Sequence, residues 1–407
     1  MFNYISIEEK YQNLLKNLNT ELPNPIGFRI AEFPLFLNDE FRDRLIDASN
    51  HIIDFILRPD FKQITEKSIP DKWHCANEND HPHFIQLDFG ICRDQYGDTV
   101  PKLIELQGFP STYALQADLG DAYCVTFDIP TNYTNYFNEL DKTRFLSLFK
   151  QTIVGPHHPH EVILMDVNPY QQITAADFYL TQKYLNIPII SLDDLKQEGN
   201  KLFYEHQGEK KLIKRIYNRL VFDEINNDPD IFKHIVDIRQ ELDIEWITHP
   251  HWFYRISKFL LTYLKGDYIP ITYFLNEIIN TIPDDLENYV LKPLFSFGGR
   301  GVIIDITHDD IEKIKDPENW ILQQKVKYEP VLQITDDVVI GEIRLMYLWP
   351  DGDKRPTLTT TLTRLSRNKL IGVRHNTNSE WTGVTVAFME NTKRNSAKLT
   401  SSHNILI

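Results

Sequence analysis

Disulfide chemistry is the first thing this sequence has little material for. Its 407 residues include three cysteines, Cys75, Cys92 and Cys124, an odd number with no CxxC spacing. That usage fits reduced thiols of the cytoplasm better than a disulfide framework or a structural zinc. No run of about eighteen apolar residues occurs, so a membrane-spanning helix is not expected. The start, MFNYISIEEKYQNLL, lacks the basic and apolar regions of a secretory signal. Positive charge is in deficit: a formal net charge of −15 disfavours nonspecific binding to nucleic acid or anionic membrane. An anionic ligand therefore needs a local cluster of Lys, Arg or metal. Catalytic signatures are missing too. There is no GxSxG nucleophile elbow, no GxxxxGK[ST] loop and no GxGxxG fingerprint. LDFG at 87–90 invites a protein-kinase reading, but HRD is absent and the glycine-rich stretch follows its lysine instead of preceding it.

What is present describes a globular chain, 42% hydrophobic and 25% charged, long enough for roughly two or three domains. Helical spacing of Ile7, Tyr11, Leu14, Leu15 and Leu18 predicts a helix over 6–19, with Ser6 and Glu9 as a capping box. A second helix is expected from the cap Asn38, burying Phe41, Leu45, Ala48, Ile52 and Phe55. HFIQLDFGIC and PKLIELQ read as strands joined by RDQYGDT, a hairpin over about 83–107. Strand, helix and strand then alternate through EVILMDV, ITAADFYLTQKYL and IPIISL, the rhythm of an α/β unit. KLFYEHQGEKKLIKRIYNRL reads as a hairpin turning at Gly208, helices are expected over 230–280, and strands and turns after that.

Three places carry chemistry. In YVLKPLFSFGGRGVIIDI (289–306) a strand bearing Lys292 runs into a loop with Gly298, Gly299 and Gly301, then into an expected second strand. Glycines let backbone N–H groups approach phosphate oxygens, and Lys292 adds positive charge; the plain alternative is an ordinary glycine-containing hairpin. In PKLIELQ, Glu105 and Gln107 interrupt apolar positions two residues apart, so they share one strand face. Asp88 on the partner strand can meet them, making a set of hard oxygen ligands suited to Mg²⁺; otherwise these are polar residues on an exposed face. Arg215, Tyr217 and Arg219 alternate, facing either a ligand or solvent. The His-rich stretches HPHF, GPHHPHE and THPHW sit beside prolines and do not present a fixed zinc ligand set.

Taken together and in order, these stretches resemble the ATP-grasp ligases, in the circularly permuted branch typified by the synthetase part of glutathionylspermidine synthetase. LDFGICRDQYGDTVPKLIELQGFPS is similar to that branch's metal hairpin, with Asp88 and Glu105 matching and Gln107 standing where Asn is usual. RISKFLL resembles the segment of the first nucleotide lysine, here Lys258, and VLKPLFSFGGRGV the lysine and glycine lid with Lys292. WILQQKV resembles the hinge beside adenine, which assigns Gln323, Gln324, Lys325 and Val326 to the base. TLTRLSRNKLIGVRHN resembles the late strands that bring an arginine to the phosphates, Arg364 or Arg374. Gln86 stands where that branch commonly has Arg, removing a charge near the phosphates, and QGFPS lacks its acidic–Thr pair, which points away from glutathione as substrate.

The resemblance implies an α+β and α/β chain with a permuted ATP-grasp fold, N-terminal helices and a small α/β pre-ATP-grasp-like domain. Its parts would be an N-terminal helical segment (1–75), a metal-binding part (76–155), the α/β domain (156–250) and a nucleotide-binding part with its lid (251–407). The implied function is a cytoplasmic ligase that uses ATP and Mg²⁺ to join a small-molecule or peptide carboxylate to an amine or thiol through an acyl phosphate. Its partners would include neither nucleic acid nor membrane. A nucleotide-binding scaffold without turnover is the alternative.

Overall fold

Strand Phe84–Arg93 is buried along nearly its whole length, and its two faces do different things. Ile85, Leu87, Phe89 and Ile91 belong to an apolar core shared with Phe41, Leu45, Ala48, Ile52 and Ile56 of helix Asp39–Ile56. The opposite face starts apolar at Phe84 and continues with the buried polar side chains Gln86 and Asp88. A strand buried on both sides with a polar stretch on one of them is the local origin of the site. The computed structural model describes residues 7–222, 235–296, 298–334, 337–368, 371 and 380–391.

That strand lies inside a six-stranded sheet ordered Gly383–Thr385, Thr357–Ser366, Asp337–Leu348, Phe84–Arg93, Thr99–Gln107, with Pro330–Ile334 also paired to Asp337–Leu348. Every pairing in it is antiparallel. The expected hairpin thus forms as read, and one of its edges is covered by strands more than two hundred residues later. A bulge interrupts it: Asp88 pairs with Glu105 and Phe89 with Leu103, leaving Ile104 as the extra residue. Leu103 and Leu106 therefore enter the core, while Ile104, Glu105 and Gln107 reach cavity walls. Bulges of this kind re-aim side chains beside functional sites.

The α/β rhythm gives a separate parallel sheet, ordered Glu245–Ile247, Arg215–Asn218, Val162–Asp166, Ile189–Ser191, with helix Ala175–Leu185 between its last two members in sequence. A small antiparallel sheet of Thr272–Phe274, Trp320–Gln324 and Tyr289–Pro293 carries Lys292. Helix Ile7–Asn19 and helix Asp39–Ile56 form where expected, and the Asn38 side chain accepts from Phe41 N at 2.8 Å. Ser6 lies outside the described residues.

Three expectations need correction. The Gly208 hairpin exists, but its second strand ends at Ile213, and Arg215–Asn218 departs to pair in parallel with Val162–Asp166. The described part of 230–280 is not mainly helical: it holds strands Glu245–Ile247 and Thr272–Phe274 and only short helical turns. Pro250 and Pro270 interrupt it, and separate aromatic anchors, Trp246, Trp252, Tyr254 and Phe259, fix it by burial in place of one amphipathic stripe. After the glycine loop no second strand forms; a single bridge, Leu291 with Ile303, closes the turn. Among the described residues, no helix is long and apolar enough to cross a membrane.

Candidate active site: two cavities and a shared cationic wall

Asp88 and Glu105 face each other across the hairpin, and Gln107 lies next along the same strand. The Gln107 amide donates to Glu105 Oε1 at 3.1 Å, which fixes the pair. The neighbouring strand contributes what the sequence reading missed. Arg344, directly opposite Asp88, places Nε 2.6 Å from Asp88 Oδ1 and Nη2 2.7 Å from Oδ2. Its Nη1 donates to Gln86 Oε1 at 2.9 Å. Arg364, one strand further on, donates through Nη2 to Asp88 Oδ2 and, at 2.9 Å, to Glu342 Oε2. Tyr328 hydroxyl donates to Glu342 Oε1. The charge that Gln86 lacks is therefore restored from the next strand by Arg344. The signal existed: Glu342 and Arg344 interrupt GEIRLMYL two residues apart, as Glu105 and Gln107 interrupt PKLIELQ.

Burial pushes the Asp88 carboxyl up, but Arg344 and Arg364 outweigh it and hold the group well below the usual carboxylate range. Burial raises Glu342, with Arg364 opposing. These four groups satisfy one another. The two lysines differ. Lys258 and Lys292 are 5% and 8% exposed, and neither lies within ion-pair distance of a carboxylate among the described residues. Lys292 Nζ donates to Gln323 Oε1 at 2.6 Å and to the Ile104 carbonyl at 3.2 Å. Lys258 Nζ donates to the Ser296 carbonyl and reaches Ser296 Oγ at 3.3 Å. Burial pulls both below the ordinary lysine value, Lys292 to about 8. Buried cations hydrogen-bonded to neutral acceptors, with Glu105 as their leading opposing charge, suit an anionic ligand.

Two cavities meet here. One, of about 350 Å³, is lined by Lys292, Gly298, Gly299, Gln323, Gln324, Lys325 and Val326, with Val290, Ile304 and Ile340 as apolar wall. The other, of about 210 Å³, is lined by Gln107, Arg219 and Arg344 and by aromatic walls from Phe28, Phe109 and Phe253. Glu105, Lys258, Gly298 and Arg364 line both. Among the described residues, Arg364 spends only Nη2 on carboxylates, and its buried Nε has no partner. Gly298 has φ +61, and a Cβ there would meet nothing within 4 Å. Gly301 lines neither cavity; it turns the loop at φ +75 against Pro293. At the expected hinge, the Gln324 and Lys325 N–H groups already bond Ile271 and Asn288 carbonyls. Arg374 lies outside the described residues.

As a metal-binding set, the three expected ligands are unequal. Among the described residues, Glu105 Oε2 and Gln107 Oε1 have no donor against them, and both residues line the cavity. Both Asp88 oxygens are taken by guanidinium groups. Mg²⁺ commonly uses one or two protein oxygens, with waters and phosphates completing its shell, so Glu105 and Gln107 fit the ion. Of the alternating trio, Arg215 and Tyr217 are fully buried, and Arg215 pairs with Glu245 and Asp351. Only Arg219 of the three reaches either cavity; its ring neighbours are Phe109 and Phe178, and its Nε has no partner among the described residues. Elsewhere, Glu78, His249 and His251 bring ligand atoms within 4.8 Å. Their nitrogens are committed: His251 to Glu78 and to Cys75 N, His249 to the Ala76 carbonyl and to His251 N, while Arg255 takes Glu78.

No family model and no curated protein matches the sequence. Among solved structures, a glutathione synthetase-like effector (GSS30) from Globodera pallida, in its apo form, superposes with a TM-score of 0.57. The match covers 94% of this chain and 98% of that one at 11% identity. The chain has a glutathione synthetase-like fold. At that identity the likeness concerns the fold, and the chemistry has to be argued from the residues above.

Proposed function

We propose that the protein is an ATP-dependent ligase that joins a carboxylate to an amine or thiol, with the permuted ATP-grasp arrangement the sequence resembles. One observation carries this reading: two cavities share a wall of Lys258, Gly298 and Arg364. Lys258 and Arg364 bring positive charge to the place where a phosphoryl group would pass from one cavity to the other. In this reading ATP occupies the cavity of Lys292 and the 320–326 segment. Its purine packs on Val290, Ile304 and Ile340, and its phosphates turn toward Lys292, Lys258 and the Gly298–Gly299 backbone. The carboxylate substrate occupies the second cavity, its reacting end near Arg364 and Arg344 and its body against the aromatic wall and Arg219.

The γ-phosphoryl group passes to a carboxylate oxygen, the bond to the β-phosphate oxygen breaks and ADP is released. The amine or thiol then attacks the acyl carbon, and phosphate leaves with the bonding pair. Such transfer asks the protein for positioning and charge compensation more than for a nucleophile. Lys258 and Lys292 supply mobile point charges, and Arg364 offers a fixed donor fork. Mg²⁺ at Glu105 and Gln107 would neutralise phosphate charge. A scaffold that binds nucleotide without turnover is the second reading; the saturation of Asp88 favours it. Mg²⁺-dependent ADP release with pooled amino acids, peptides and polyamines separates the two. Release that depends on a carboxylate and an amine together supports the ligase. Tight ATP binding with no release under any pool supports the scaffold, and absence of ATP binding ends both.

A further inference from the structure

We infer that Asp88 serves this site as an arginine-positioning residue and not as a metal ligand. The inference rests on the nucleotide reading above. Sequence pattern alone puts Asp88 with Glu105 and Gln107, because all three share one cavity-facing side of the hairpin. The geometry separates them. Asp88 is 1% exposed, and its two oxygens accept from Arg344 Nε and Nη2 in a side-on fork and from Arg364 Nη2. A cation at either oxygen would have to displace a guanidinium and stand beside two positive charges. A cation at Glu105 Oε2 and Gln107 Oε1 would displace no guanidinium, Arg344 Nη2 standing 3.7 Å away from the other Glu105 oxygen.

The same contacts say what Asp88 does. Arg364 is gripped at one nitrogen, Nη2, between Asp88 and Glu342. Among the described residues that grip leaves the buried Nε and Nη1 without a partner, on a side chain that lines both cavities where they meet. Arg344 is held by Asp88 and Gln86 with its remaining edge on the second cavity. The two acids and two arginines alternate, so the cluster is neutral in itself. The buried Lys258 and Lys292 keep the attraction for phosphate, and Arg364 keeps a fixed direction. A fork fixed in this way recognises the terminal phosphate by geometry, which a loose cation does not.

The test uses the full chain with Mn²⁺ as the probe metal and a non-hydrolysable ATP analogue, free Mn²⁺ being counted by electron paramagnetic resonance. Glu105→Gln should weaken Mn²⁺ in the ternary complex tenfold or more. The charge-neutral pair Asp88→Asn with Arg344→Gln should leave it within threefold of wild type. In a second arm without metal, the preference for the ATP analogue over ADP should fall to the same value in Asp88→Asn, in Arg364→Lys and in the two combined. Loss of Mn²⁺ in the charge-neutral pair equal to that in Glu105→Gln would make Asp88 a ligand and overturn the inference. An unchanged preference in folded Asp88→Asn would reduce the residue to a structural role and overturn it equally. If Asp88→Asn does not fold, the pair with Arg344→Gln carries both arms. Wild type that binds no analogue overturns the nucleotide reading itself, whereas the two outcomes just named leave that reading standing.

Discussion

Replacing Lys292 with Met tests the nucleotide reading at its most exposed point. Lys292 is 8% exposed and is held by an amide oxygen and a carbonyl, with no carboxylate in ion-pair range among the described residues. Burial, its largest influence, draws its pKa from 10.5 to about 8. That difference of 2.5 corresponds to about 3 kcal/mol against the charged form in the empty protein. A phosphate beside it reverses the balance, so nucleotide binding should take up a proton. At pH 8 the empty protein has this lysine about half protonated and the complex nearly fully so, giving an uptake of about half a proton. Lys258, also lowered by burial, adds to it in the same direction. Because the bound state holds the proton more tightly, affinity should be constant below about pH 8 and fall as pH rises above it. Removing a charge-assisted contact forfeits about 1.5–3 kcal/mol, or roughly ten- to a hundredfold in affinity. Calorimetric titration of ATP in buffers of different ionisation enthalpy measures affinity and proton uptake together. Lys292→Met should lose affinity by that factor and lose its share of the uptake, while its empty form is no less stable than wild type. Equal affinity and equal uptake in wild type and variant would remove Lys292 from the phosphates, and the argument from buried cations with it.

Further outcomes follow from the same geometry. Arg344→Gln leaves Asp88 buried beside a single guanidinium, and thermal or denaturant unfolding should show a loss of about 3–5 kcal/mol. Asp88, Glu78 and Asp351 all lie below their ordinary values in the folded chain. They add stability that is complete above the unfolded values near 4 and lost progressively as pH falls below those toward the lower folded values. Unfolding followed from pH 6 to pH 2 should therefore show a steep fall below pH 4, shallower in Arg344→Gln. Arg219→Met should leave ATP affinity within about twofold and raise the KM of the carboxylate substrate, since Arg219 lines only the second cavity. Gly90→Val should disturb the site without touching ligand, because even a Cβ at Gly90 would lie 2.8 Å from the Tyr328 ring that holds Glu342. Loss of turnover with the nucleotide cavity still binding ATP would be the result.

The sequence alone determined the local pieces. Period and capping placed helices Ile7–Asn19 and Asp39–Ile56, because an apolar stripe and an Asn cap act within one turn or one helix. Alternation around a seven-residue turn placed the hairpin, and an acid and an amide on one strand face pointed to a ligand before any fold was known. Lys292 and its glycines were picked out on equally local grounds, and the fold places Lys292, Gly298 and Gly299 on the wall of one cavity.

Tertiary structure decided what those pieces mean. Whether Asp88 faces a metal or an arginine depends on which strand lies beside it, and that strand, Asp337–Leu348, comes some two hundred and fifty residues later. No local pattern fixes a pairing at that separation; the apolar faces of both strands and the helix beneath them do. The bulge at Ile104 was invisible because strict alternation puts Ile104 with Leu106 and Leu103 with Glu105, whereas Leu103 and Leu106 are the pair that reach the core. The helices expected over 230–280 failed because buried single aromatics between prolines mimic an apolar stripe without its period. Lys258 was named by likeness to a motif, but the neutral Ser296 acceptors that hold its buried ammonium appear only when the chain closes around it. The setting of a buried charge is a property of everything packed near it, and that is settled by the fold.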